Sequence, residues 1–350
     1  MVRYFFGLRL VVLFFLLVLA SFPAFSQRAA TVVARPGDGI HSLLRRHGRS
    51  ASGHYQQFLG LNKGRLTRGN GLVAGRSYQL PPQGPPQNQS KKTTPKAASV
   101  AGSSASVLHV PLFGAGHSRM RVLDRTMRGA VYYLSPGHGG PDPGAVGKYG
   151  THKLAEDEYA YDVTLRLARV LMEHGATVYM LVQDPNDGIR DEQFLKIDRD
   201  EVTYPRQRIP LNQLARLRQR IAQANKLYTR HKGAYQRLLS LHVDSRSQGQ
   251  KIDVFFYHHA NSAAGLRTAR NIHQVFTSRY ARSQPNRPYS GNVLPRSSLY
   301  EVRTSHAPAV FMELGNIHNA RDQPRFLLPD NRQALANWIY EGLQADFKGR

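Results

Sequence analysis

The chain has 350 residues, no cysteine and a formal net charge of +25 at pH 7. Without cysteine it folds with no disulfide, and any bound metal must rest on histidines and carboxylates. So positive a chain attracts polyanions, but charge alone does not say which, and no nucleic-acid recognition motif accompanies it.

At the N-terminus, Arg3 and Arg9 punctuate an apolar stretch that runs to about Ala20. Ala24-Phe25-Ser26 then offers small residues at the positions a signal peptidase reads. Residues 1–26 are therefore expected to be a secretory signal peptide, cut before Gln27, and not a membrane anchor. Its removal takes away two arginines and leaves a charge of about +23. No cysteine lies near the cut, which excludes a lipoprotein, and no later apolar run is long enough to span a bilayer. The expected mature protein is exported and soluble, with no transmembrane span. Export also argues against a nucleic-acid partner.

Residues 31–81 begin TVVARPGDGIHSLLRRHG and end LVAGRSYQLPP. Two strand-like ends, Thr31–Ala34 and Ser77–Leu80, bracket helical stretches around 40–47 and 53–61, with Asp38 as an expected N-cap. The entry turn, Asn62 and the exit strand resemble the lysin-motif (LysM) family, which implies a small βααβ module that binds N-acetylglucosamine-containing glycans. The sequence departs from that pattern at Gly39, where Thr or Ser is usual, and in the long KGRLTRGNG stretch. Residues 82–107 are rich in Pro, Gln, Ser, Lys and Ala and lack large apolar side chains. Such a stretch cannot bury enough surface to offset chain entropy, so it is expected to be a flexible tether.

From 108 to 350, apolar strands alternate with amphipathic helices, which predicts an α/β domain with a twisted, mainly parallel sheet flanked by helices. Strands are expected at 130–135, 176–182, 237–242, 252–257 and 308–313. Helices are expected at 156–173, at 212–230 with Asn212 as cap, and at 331–346. About 240 residues suffice for a substantial core.

Three of these strands end on chemically related residues: VYYLSPGH on His138, RLLSLH on His242, and PAVFMEL carries Glu313. In open parallel sheets, sites form beyond the carboxyl ends of the strands, so the three are expected on one rim. A fourth member comes from the helix in LAEDEYAYDVTLRLA. Glu156 precedes Tyr159, Val163 and Leu167 at helical spacing and so shares the buried stripe, whereas Glu158 aligns with Asp162, Leu165 and Arg169 on a face expected to be solvated. The first turn also favours an ionised Glu156 through the helix dipole. His138, Glu156 and His242 would form a His₂Glu set with a fourth position open, a composition typical of catalytic zinc. Glu313 would then move a proton between water and a leaving group. The glycines around His138 would let the backbone turn sharply and keep bulk away from the imidazole. His258 and His259 follow another strand, where consecutive side chains point to opposite faces, and both are left out.

At these residues the sequence strongly resembles the zinc-dependent N-acetylmuramoyl-L-alanine amidases of the Amidase_3 type, over most of 130–345. The family opens with "DPGHGG.D.GA.G..G..E", and here stands SPGHGGPDPGAVGKYGTHKLAEDE. Leu217, Arg220 and Ala224-Asn225 follow, then SLHVDS, and the close is LYEVRTSHAPAVFMELGNIHN. The resemblance implies one zinc on His138, Glu156 and His242, with Glu313 as the catalytic acid/base. It also implies hydrolysis of the amide between N-acetylmuramic acid and L-alanine in peptidoglycan. Substrate-contacting residues are not identified. Three departures stand out. The interval from His138 to the ligand carboxylate is longer than usual, which keeps Glu158 as an alternative. The family's "HAN" is His242-Val243-Asp244 here. Residues 184–210 form a long polar insertion, read either as a lid or as a surface excursion. No long insertion of the kind that carries an inhibitory helix stands between His242 and Glu313.

The expectation is thus an exported wall hydrolase with a glycan-binding module, a tether and a zinc domain. Its partners would be peptidoglycan and anionic wall material. Its place would be the periplasm or cell wall, with release to the medium as the alternative; the Ser-Gln cleavage context favours the periplasm. The rival is a catalytically inactive wall-binding or hydrolase-activating protein, against which the intact set of two His and two Glu speaks.

Overall fold

The structure, a computed structural model, describes residues 30–35, 38–49, 51–66, 71–83, 106–245, 253–284 and 286–350. The expected signal peptide and all but the ends of the expected tether lie outside the described residues.

In the N-terminal part, β1 (Thr31–Val33) is followed by α1 (Ile40–Arg46), α2 (Ala51–Leu61) and β2 (Ser77–Gln79), and the two strands pair antiparallel. Leu43, Leu44, Phe58, Tyr78 and Leu80 pack into its core. Asn62 fastens the helices to the exit strand. Its buried amide donates to the carbonyls of Phe58 (2.9 Å) and Gln79 (2.8 Å), and its Oδ1 accepts from the Gln79 amide at 2.8 Å. The carboxylate of Asp38 bonds the Arg35 amide and the Arg46 guanidinium.

The remainder opens with the antiparallel pair β3 (Val107–His109) and β4 (Arg119–Arg121). Then come β5 (Ala130–Ser135), the hairpin β6 (Val146–Tyr149) and β7 (His152–Ala155), α3 (Glu156–Glu173) and β8 (Thr177–Met180). Three two-residue strands lie next: β9 (Val182–Gln183), β10 (Val202–Thr203) and β11 (Gln207–Arg208). They precede α4 (Gln213–Arg230), β12 (Tyr235–Asp244), β13 (Phe255–His258) and α5 (Ala263–Ser283). The chain closes with β14 (Val293–Pro295), α6 (Tyr300–Thr304), β15 (Ala309–Asn316), α7 (Pro324–Leu327) and α8 (Pro329–Lys348).

The main sheet runs β14-β13-β15-β12-β5-β8 and is parallel at every pairing except β13 with β15. Every residue of β5 is buried, as expected of a strand covered on both faces. Alternation sorts its side chains. Tyr132 and Leu134 join a core with α3, α5 and α8, while Val131 and Tyr133 face α4. The expected strand 130–135 and helix 156–173 have the observed bounds, and Asn212 caps α4 by accepting from the Ala215 amide at 2.9 Å. Among the described residues, no helix is long and apolar enough to cross a membrane.

Candidate active site and metal centre

Because β5, β12 and β15 run parallel as neighbours, their carboxyl ends share one rim. His138 sits in the loop after β5, and His242 on β12 is the register partner of Glu313 on β15. Glu156 is delivered by the first turn of α3. Among the described residues no side chain caps that helix; instead the Glu156 amide donates to the Ala145 carbonyl at 2.9 Å, and the Ala145 amide donates to Glu156 Oε2 at 2.9 Å. The hairpin β6–β7 thus folds back to hold its own exit.

Glu156 Oε1 is the point of convergence. His242 Nδ1 lies 3.0 Å from it, His138 Nε2 lies 3.3 Å from it, and the Val243 amide donates to it at 3.0 Å. Tetrahedral ligands at zinc distances lie about 3.3 Å apart. The three side chains each offer a ligand atom, all within 4.8 Å of one another, with Glu156 and His242 buried and His138 half-buried, and this N,N,O set fits a zinc ion. The glycines are spatially required. At Gly137 (φ +76°) a Cβ would come within 2.5 Å of His242 Cε1, and at Gly144 (φ +64°) within 2.7 Å of Glu156 Oε2.

A second layer fixes the rings. His138 Nδ1 lies 2.9 Å from Asp142 Oδ2, which also accepts from Arg216 at 2.7 Å. His242 stacks on Phe311, with ring centroids 4.0 Å apart, and its Nε2 lies 3.1 Å from Ser240 Oγ. Ser240 in turn donates to Glu301 Oε2 at 2.5 Å, and Glu301 Oε1 meets Ser135 (3.2 Å) and Arg220 (3.4 Å). Nε2 of His138 and Nδ1 of His242 are therefore the nitrogens left facing Glu156. Burial opposes the charge on His138, but Glu156 and Asp142 outweigh it and raise its pKa to about 10. Burial would raise Glu156, yet the His138 charge and the hydrogen bonds from both imidazoles hold it well below the carboxylate range. For Glu301, burial is likewise overcome by the His242 bond and the Arg220 charge, to about 2.

Glu313 behaves oppositely. Its Oε2 is shielded from solvent and has no hydrogen-bond partner among the described residues. Burial, together with repulsion from Glu156 and Asp244, outweighs the attraction of His242 and raises its pKa to about 8. The Arg303 guanidinium lies 6.0 Å from the Tyr300 ring centroid, and no ion pair joins it to Glu313 among the described residues.

Glu158 is where the expectation of a solvated face fails. It is 1 % exposed, with Oε2 on Arg190 at 2.8 Å and Oε1 accepting from the Asp198 amide at 2.9 Å. The insertion folds back over α3 and buries it, which helical spacing alone does not reveal. Glu158 groups with Asp157 and Glu201, apart from the two imidazoles. The same insertion braces the His138 loop, since Glu201 Oε2 accepts from the Gly140 amide at 2.6 Å. His258 is buried in β13 and its Nδ1 contacts the His259 carbonyl at 2.8 Å; neither joins the His138 group. Sequence reasoning missed Asp142, Ser240 and Glu301. Ser240 was findable, because it lies two residues before His242 and so on the same face of β12. A cleft of about 170 Å³ opens onto His138, His242, Asp142, Arg216, Tyr300 and Phe311.

A mainly parallel-sheet α/β domain with a His₂Glu group at its carboxyl rim defines the class. The N-acetylmuramoyl-L-alanine amidase family model (Amidase_3) matches residues 133–345, and the chain belongs to that family. A 61-residue stretch is 43% identical to the germination-specific N-acetylmuramoyl-L-alanine amidase of Bacillus subtilis. That match covers 17% of this chain and 24% of the relative, about a quarter of the relative's length. Similar solved structures include the CwlD amidase from Clostridioides difficile in complex with the GerS lipoprotein, at 17% identity and TM-score 0.47, covering 63% of this chain and 99% of that one. Another is the catalytic domain of CwlV, an N-acetylmuramoyl-L-alanine amidase from Bacillus (Paenibacillus) polymyxa var. colistinus, at 19% identity and TM-score 0.46, covering 63% and 99%.

Proposed function

We propose that this protein is a zinc-dependent N-acetylmuramoyl-L-alanine amidase that cleaves the amide between N-acetylmuramic acid and L-alanine in peptidoglycan. The observation that carries this reading is the meeting of His138, Glu156 and His242 at one carboxylate oxygen, within a chain of the amidase family. His138 Nε2, His242 Nδ1 and Glu156 Oε1 would hold the ion. When bound, zinc supplies the Lewis acidity that polarises the scissile carbonyl and acidifies water.

The chain's own residues supply the rest. Glu313, at the register position of His242 on the neighbouring strand, takes the proton of the attacking water and returns it to the leaving nitrogen. Asp142 and Glu301 keep the imidazoles in the required orientation. Arg216, bonded to Asp142, and Tyr300 line the cleft through which a stem peptide enters. Residues 31–81 bind glycan in the manner of a LysM module, and residues 82–107 tether it, which raises the local concentration of wall bonds around the site. Residues 1–26 direct export to the periplasm or wall, where the positive charge adds attraction to anionic material.

Mass spectrometry of digested sacculi tests the reading. Release of intact stem peptides with a free L-alanine amine, abolished by chelator and restored by zinc, is expected. Binding to sacculi with no bond cut by the wild-type protein would instead fit the inactive wall-binder.

A further inference from the structure

The 184–210 insertion carries a feature that the hydrolytic site does not use. Seven of the chain's 23 acidic residues fall within residues 184–201, an unusual concentration in so basic a protein. Three of them, Asp184, Asp187 and Asp198, each bring an oxygen within 4.8 Å of the others.

Two of their carboxylate oxygens have no hydrogen-bond partner among the described residues. Asp184 is 3 % exposed. Its Oδ1 accepts from the amides of Asn186 (2.9 Å) and Asp187 (2.7 Å), closing its own turn. The remaining oxygen, Oδ2, is buried with no partner among the described residues, and so is Asp198 Oδ1. Asp187 bonds Arg190, which is shared with Glu158, so one guanidinium serves two carboxylates. Setting Arg190 and Lys196 against the three aspartates leaves an excess of one negative charge, and Glu158 and Asp200 deepen it.

The geometry points to a second, structural cation site formed by Asp184, Asp187 and Asp198, which takes Ca²⁺. The available donors are all carboxylate oxygens, with no imidazole or thiolate, which selects a hard cation over zinc. They stand on an irregular loop, and Ca²⁺ accepts irregular shells of six to eight oxygens, completed by carbonyls and water, where Mg²⁺ demands a near-ideal octahedron. The protonation balance agrees. Burial, and repulsion from Asp187 and Asp198, raise Asp184 to about 6 against its two amide bonds, and Asp198 is raised by burial and by Asp200 and Asp187.

Such an ion would pin the turn after β9 to the far arm of the insertion. That arm is joined to α3 through the Asp198 amide on Glu158, and to the His138 loop through Glu201 on the Gly140 amide. The cation would therefore brace the zinc-bearing loop without touching substrate.

The test uses the full chain, stripped of metal and titrated with Ca²⁺ alone, Mg²⁺ alone or neither. Millimolar Ca²⁺ is expected to raise the melting temperature by about 5 °C or more, and Mg²⁺ by much less. Terbium, a Ca²⁺ surrogate, is expected to show tyrosine-sensitised luminescence, because the Tyr161 hydroxyl accepts from the Asp184 amide at 2.8 Å; Ca²⁺ is expected to displace it. In a D184N/D198N variant the Ca²⁺ shift is lost, while stoichiometric zinc uptake persists. A wild-type melting temperature unmoved by Ca²⁺, or a shift of equal size in the variant, overturns the proposal; equal shifts from Mg²⁺ overturn the choice of Ca²⁺. Should the variant fail to fold, wild-type protein without displaceable terbium luminescence overturns it as well.

Discussion

His242 Nδ1 and Glu156 Oε1 lie 3.0 Å apart although 86 residues separate them in the chain. The contact joins the middle of the sheet to the first turn of α3, and His138 closes it from a third direction. Each element reaches that point for its own local reason: a buried parallel strand, a hairpin that returns to cap a helix, and a loop whose glycines leave room for imidazole.

Replacing Glu313 with Gln is expected to separate activity from stability. Hydrolysis should fall by about 10²–10⁴-fold, the contribution of a general base. In metal-free protein the folded Glu313 holds its proton up to about pH 8, against an ordinary value of 4.5. Folded protein therefore binds the extra proton between those limits, and native stability declines as pH rises through them. Gln does not titrate. The variant should melt at or above the wild-type temperature, with a gap that widens from pH 5 to pH 8. Wild-type hydrolysis by the variant, or a gap of the opposite sign, would contradict this.

Metal uptake should be proton-linked. His138 in the metal-free site is raised from 6.5 to about 10 by Glu156 and Asp142 against the effect of burial. Its interaction stabilises the metal-free fold fully below about pH 6.5 and is lost as pH rises towards 10. Zinc must displace that proton, so affinity should climb about tenfold per pH unit across neutrality. Asp142→Asn removes the carboxylate charge beside Nδ1 and should weaken zinc binding about 10–100-fold. Competition with a chromogenic chelator measures both; a pH-independent affinity would exclude the linkage.

Much of this was legible in the sequence, and the limits are physical. The bounds of β5 and α3 follow from apolar runs and periodicity, and the placement of His138, His242 and Glu313 follows from strand ends in a parallel sheet. Glu301 was not legible. It sits in the five-residue helix α6 yet bonds Ser135 and Ser240 on two different strands, a long-range match with no local period. The burial of Glu158 was hidden for a similar reason, since the residues covering it come from an insertion whose path no helical pattern encodes.

Glu301→Ala is expected to destabilise strongly. It leaves the 2 %-exposed Arg220 without its carboxylate partner, and an uncompensated buried charge costs about 3–5 kcal/mol. Glu301→Gln removes the same counter-charge but keeps an oxygen that accepts from Ser135 and Arg220 and leaves no cavity, so it should cost less than Ala while still weakening zinc retention. Chemical denaturation of the two variants measures the difference. Equal stabilities for Ala and Gln would refute the assigned role.

Deleting residues 31–81 should leave cleavage of small soluble muropeptides unchanged and reduce cleavage of intact sacculi by about 10²-fold, the lower end of a tethering effect. Parallel assays on the two substrates decide. An equal loss on both would mean that the segment supports the catalytic fold instead of targeting it.

The central claim is settled most directly by counting zinc atoms per chain. Elemental analysis of purified wild-type protein should find one zinc, and His242→Ala and Glu156→Ala, each shown to remain folded, should carry almost none. Folded variants that still hold a full equivalent would place the ion elsewhere, and the account of this rim as the catalytic centre would not survive.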